Sequence, residues 1–186
     1  MKKSLIVIIV IVLLLGGLLI GSYNGMVSKR EAVDTAYSNL DVTLQRRADL
    51  IPNLVNTVKG YTSHETAAIE QVTNARTKYL NSSSTDEKIE ANNEISKALS
   101  NLLVVVENYP DLKANENFIK LSDELSNTEN KISFSRQFYN DTVTMYNTKI
   151  HVFPSNIIAG MFNFSAAELF KTDDEARKNV KVDFGK

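Results

Sequence analysis

The chain contains no cysteine, which excludes disulfides, thiolate zinc sites, a cysteine nucleophile and lipoprotein processing, but leaves the compartment open. It also lacks tryptophan, and seven glycines and three prolines in 186 residues supply few turn signals. That scarcity favours long helices over a many-stranded sheet. Neither sign of charge is in excess, with 21 basic against 22 acidic residues, so the basic footprint of a nucleic-acid binder is missing. Only two histidines, His64 and His151, are available for acid–base or metal chemistry.

What is abundant stands at the N-terminus. Lys2 and Lys3 precede SLIVIIVIVLLLGGLLIGS, apolar from Leu5 to about Ile20. A bilayer-crossing helix needs about 20 mainly apolar residues, so residues 5–22 read as a transmembrane anchor in contact with membrane lipid. A cleaved signal peptide is the alternative, with Gly21 and Ser22 as the small residues after the run. Lys2 and Lys3 on one side face Lys29 and Arg30 on the other, a slight bias towards a cytoplasmic N-terminus and an extracytoplasmic domain.

Beyond the anchor an apolar stripe steps by threes and fours through Val33, Tyr37, Leu40, Leu44, Ile51, Leu54, Val58, Tyr61, Ala68, Val72 and Tyr79, the mark of an amphipathic helix. It predicts one helix over about 26–80, kinked at Pro52, where the phase is kept but the hydrogen bond to the Ala48 carbonyl is lost. That carbonyl then needs water or a donor from a facing helix. The polar NSSSTDE run (81–87) separates a second helix over 86–107, with Ser84, Thr85 or Asp86 as its cap. Asn108–Asp111 ends it at Pro110, Asp111 caps a third helix over 111–152, and Ser165–Glu168 has the capping-box form that opens a short helix over 165–171. The expected organisation is a flank over 1–4, the anchor over 5–22, an all-α antiparallel helical bundle over 23–170 and a charged tail over 171–186. By length, the second helix covers only the distal part of the first, leaving Val33, Tyr37, Leu40 and Leu44 as a candidate face for a protein partner or a second copy.

The stripe turns charged at four places: Arg47 and Glu65 on the first helix, Glu129 and Arg136 on the third. Two acids and two bases on facing seams can neutralise one another, and charges removed from water require such pairing. The expectation is a structural or interaction cluster that sets the bundle's register, with Glu129 as the partner whose removal offsets loss of Arg47. A catalytic role is the alternative. His64-Glu65 begins like a helical zinc motif, but Ala68 stands where the second ligand belongs. Neither histidine follows a glutamate by three residues as a di-iron bundle requires, and no phosphate loop or nucleophile elbow occurs. The chain therefore reads as a non-enzyme without catalytic residues, metal or cofactor.

Three ordered segments, RRADLIPNLVNTVKGYTSHE (46–65), PDLKANENFIKLSDELSNTENKISFSRQFYND (110–141) and YNTKIHVFPSNIIAG (146–160), resemble the LemA family of bacterial membrane-anchored proteins. The resemblance covers about residues 20–165; Tyr37 stands where that family commonly has tryptophan, a departure that bears on packing. It implies a helical bundle on one N-terminal transmembrane helix at the bacterial cell envelope, and implies no reaction. A membrane-tethered interaction or scaffold protein is the first functional class, and an envelope enzyme or regulatory subunit built on Arg47, Glu65, Glu129 and Arg136 is the second.

Overall fold

Few helix breakers and a sustained three–four apolar spacing produce helices, and a computed structural model describing residues 2–62 and 65–170 contains six of them. They are α1 (Lys2–Lys59), α2 (Thr66–Asn81), α3 (Thr85–Val106), α4 (Pro110–Lys113), α5 (Glu116–His151) and α6 (Ser155–Met161). No strand occurs among the described residues. The fold is all-α, as the periodicity requires.

The described residues form two compact units. The first holds α1 as far as Asp41 together with Ser133–Leu169. Its large side chains from Leu5 to Ile20 are all exposed, and the helix is here long and apolar enough to cross a membrane. Further along, Met26, Val33, Ala36 and Leu40 meet Tyr139, Val143, Tyr146 and Ile150 in a buried seam. The two helices run antiparallel: Tyr37 lies edge-on to Tyr139 at 5.9 Å, and the Arg30 guanidinium sits 5.8 Å from the Tyr146 ring centre.

This seam corrects one expectation. Val33, Leu40 and Leu44, foreseen as a partner face, are buried to 3% exposure or less, and Tyr37 is half-buried. For Val33, Tyr37 and Leu40 the covering surface comes from within the chain, because α5 runs antiparallel beside this part of α1.

The second unit is Val42–Ile132 together with Phe170, built from the end of α1, then α2, α3, α4 and the start of α5. Here the helix expected over about 26–80 is divided, with α1 ending at Lys59 and α2 starting at Thr66. The Val58 carbonyl accepts from the amides of Tyr61 and Thr62 and from the Thr62 hydroxyl, at 2.9, 3.1 and 3.1 Å, which closes the helix end locally. The reversal is held from outside as well. Asn115 donates to the Tyr61 hydroxyl at 2.8 Å, and Tyr109 donates to Glu65 at 3.0 Å. The stripe showed no break because α2 resumes in phase after the turn.

At the next turn Ser84 caps α3 in a full capping box: its hydroxyl accepts from the Glu87 amide, and Glu87 accepts from the Ser83 and Ser84 amides. Lys78 of α2 bonds Glu90 and Glu94 at 2.9 and 2.6 Å, while Gln71 accepts from Asn101 farther along, so α2 and α3 are antiparallel. The third expected helix is also split. Pro110 occupies the first position of α4, so Asp111 lies inside that turn rather than capping it, and Asn115 accepts from the Phe118 amide to cap α5.

The helix expected over 165–171 is absent as far as Phe170; Lys171 and the tail to 186 lie outside the described residues. Side chains of α5 capture this backbone instead. Tyr146 and Tyr139 donate to the carbonyls of Ser165 and Glu168, and Asn147 bonds both the amide and the carbonyl of Ala167, all at 2.8 to 2.9 Å. Those bonds replace the ones a helix would make. A helix that sequence reading missed, α6, precedes this strap and ends at Met161; just beyond it, Asn163 at a φ of 56° lets the Phe164 amide reach back to the Ala159 carbonyl.

Candidate functional site

In the second unit the side chain of Arg47 enters the core and is 1% exposed. Its Nη1 donates to Ser96 Oγ at 2.8 Å and Glu129 Oε2 at 2.7 Å. Its Nη2 donates to the Asn92 carbonyl at 3.0 Å and to the Asn92 side-chain oxygen. One guanidinium thus joins α1 to α3 and α5, a use suited to its planar fork of donors. Burial pushes the Arg47 pKa down, opposed by the Glu129 carboxylate and its hydrogen bond. The group keeps its charge because even a lowered guanidinium remains protonated at neutral pH.

The pairing is unequal. Glu129 leaves half of its side chain in solvent, whereas Asn92 is as buried as Arg47. The node is therefore a buried cation held mainly by neutral acceptors, with a carboxylate at its rim. Asn92 and Ser96 were absent from the expected cluster. Asn92 was nonetheless legible, since it precedes Ile95, Leu99, Leu102 and Val106 by the same three- and four-residue steps.

The other two charges go elsewhere. Glu65 accepts from Tyr109, and its carboxylate raises the Tyr109 pKa by favouring the protonated phenol. Arg136 belongs to the first unit. The expected four-member cluster is thus reduced in the second unit to Arg47 and Glu129, joined by Asn92 and Ser96. Beside them Arg46 bonds Glu124 at the surface and lowers that carboxylate's pKa.

α1 continues through Pro52. The Ala48 carbonyl, deprived of its helical donor by the proline, accepts from Arg76 Nε of α2 at 2.8 Å. Neighbouring residues of α1, Arg47 and Ala48, are therefore each tied to another helix by an arginine.

Between α3 and α5 the Arg47 node opens into a cleft of about 470 Å³. Ser96 and Ser100 line one wall, Ser122 and Ser126 the other, with Leu103 and Leu125 between them. Arg47 Nε and Asn92 Nδ2 are buried without a hydrogen-bond partner. The cleft offers donors and an apolar floor but no nucleophile–base pair. Among the described residues no group of three or more His, Cys, Asp or Glu is placed to hold a metal ion. His151 ends α5 with its Nδ1 2.6 Å from the Asn147 carbonyl, and His64 lies outside the described residues.

Fold and node together define a helical-bundle protein headed by a long apolar helix, with a buried arginine at the centre of its second unit. The chain belongs to the LemA family, whose sequence profile matches residues 36–184. It is 25% identical over 162 residues to Protein LemA of Metamycoplasma hominis, covering 87% of this chain and 74% of that one. It is also 26% identical over 179 residues to Magnetosome protein MamQ 2 of Paramagnetospirillum magneticum, covering 82% of this chain and 66% of that protein. Magnetosome protein MamQ of Magnetospirillum gryphiswaldense is 23% identical over 178 residues and is covered to 65% of its length.

Proposed function

We propose that this chain is a membrane-anchored interaction protein, held by residues 5–22 and presenting its helices to a protein partner at the bacterial cell envelope. The observation that supports the interaction is on α5. Phe134 and Phe138, one helical turn apart, are 74% and 54% exposed, and Met145 continues the same face at 54%. Contiguous exposed rings of this kind mark contact surfaces in soluble domains. This stripe takes the place of the Val33 face, which the chain covers itself. A photo-crosslinking residue at Phe134 in the membrane-embedded full-length protein should yield a discrete protein adduct. Phe138→Ser should reduce that adduct. Its mass separates a second copy from another protein, and absence of any protein adduct would overturn the reading.

A regulatory subunit is the second reading, favoured by the serine-lined cleft and the unpartnered Arg47 Nε. Its volume lies within the range of about 300–1,000 Å³ usual for small-ligand sites. Loss of a cellular phenotype in a folded Arg47 variant with an unchanged α5 adduct would favour it.

A further inference from the structure

Uncharged sequence is unusually long near the end of α5. No Asp, Glu, Lys or Arg occurs between Lys149 and Glu168, a stretch that includes α6. Within it Phe153, Ile157 and Met161 recur at four-residue steps and are 79%, 56% and 64% exposed, flanked by Val152 and Phe162 at 46% and 53%. The opposite side of α6 is buried: Ser155 and Ile158 face the chain. This element is amphipathic without charge, since one side packs on protein and the other shows hydrocarbon.

Its position gives that surface a partner. Ser155 accepts a hydrogen bond from Ser22 at 3.1 Å, and Phe162 packs at a tilt against Tyr23 at 4.8 Å between ring centres. Leu15, Leu18 and Leu19 of α1 share a cleft of about 560 Å³ with Ile157, Ile158 and Lys149. At 1.5 Å per residue, Leu5 to Ser22 spans about 26 Å, close to the roughly 30 Å of a hydrocarbon core. Ser22 and Tyr23 then mark its boundary, and α6 lies beside the last 10 Å or so of the span.

We propose that Val152–Phe162 is a second membrane contact, in which Phe153, Ile157 and Met161 insert shallowly into the leaflet from which α1 emerges. The inference rests on the anchoring reading of residues 5–22. The occupant is lipid because the exposed face of α6 continues the lipid-facing wall of α1. Lys149 stands where its ammonium meets headgroup phosphates, and Tyr23, Phe162 and Phe164 cluster at the level where aromatic side chains concentrate. The chain thus holds the membrane at two places, one crossing it and one lying in its surface.

The absence of tryptophan makes a clean test possible. Full-length Ile157→Trp, Met161→Trp, Leu13→Trp and Val104→Trp variants are each reconstituted in phosphatidylcholine–phosphatidylglycerol vesicles containing acyl-brominated phosphatidylcholine. All four positions are exposed, so the substitutions leave the packed seams intact. The expected result is loss of emission at positions 157 and 161, at a depth of about 5–10 Å as for interfacial helices, with position 104 unaffected. Quenching at 13 with none at 157 or 161 overturns the inference and leaves the anchor standing. Reporters at 157 and 161 shielded from both bromolipid and aqueous iodide overturn it in favour of a protein cover. No quenching at position 13 removes the anchoring reading, and the inference with it.

Discussion

Arg47 illustrates how a pair inferred from spacing changes meaning once burial is known. With Glu129 half in solvent, removing the guanidinium leaves that carboxylate free to hydrate. The group that suffers is the Asn92 side-chain oxygen, buried and stripped of its donor, while the Asn92 carbonyl keeps the Ser96 hydroxyl. Arg47→Leu should therefore lower stability by about 1–3 kcal/mol, the usual cost of stranding buried polar groups. Adding Asn92→Leu should recover part of the loss, and adding Glu129→Leu should recover little. Urea midpoints of the detergent-solubilised chain measure both. Rescue by Glu129→Leu alone would restore the simple ion-pair account. Arg47 and Glu129 were legible because charged residues stand out on an apolar stripe. Ser96 was not, because its role depends on which turn of α3 faces α1.

At the scale of elements, the three–four spacing located α3 to within a residue and the long body of α5, but it concealed turns that preserve phase. Tyr61 and Ala68 continue the α1 stripe across the reversal, so only the Tyr61–Asn115 and Glu65–Tyr109 contacts reveal it. The short helix expected after Ser165 failed for the opposite reason: its local capping signal was sound, and α5 outcompeted it for the backbone. Pro52 makes the coupling of α1 and α2 measurable. Arg76→Leu strands the Ala48 carbonyl and should cost about 1–3 kcal/mol. In a Pro52→Ala background the helix supplies its own donor, and the same change should cost distinctly less; equal costs in the two backgrounds would remove Arg76 from this role. The α3 cap predicts a pH effect. Hydrogen bonds from the Ser83 and Ser84 amides hold the Glu87 carboxyl below its ordinary value of 4.5. Because the folded value is the lower one, the stabilisation is complete above about 4.5 and fades as pH falls through the lowered value. Amide protection factors at Ser83 and Ser84, taken against the intrinsic exchange rate at each pH, should fall on acidification below that point, and Glu87→Gln should flatten the dependence.

For the molecule as a whole, composition was the most reliable guide. An all-helical chain headed by a long apolar run could be read directly, because these properties depend on residue type and period alone. What covers what could not be read that way: Val33 and Leu40 look the same in sequence whether they meet α5 or another protein, and the seven residues of α6 are too few for a period to announce a helix. The Arg47 node adds a property that neither composition nor period contains. Three helices converge on one planar fork, and successive residues of a helix point about 100° apart. Turning α1 about its axis by a single residue would swing the guanidinium away from every acceptor, while an apolar neighbour would still find oily surface. Leucines fix how deeply such helices bury one another; the arginine acts as a key, admitting one rotational setting of α1 and locking out its near neighbours.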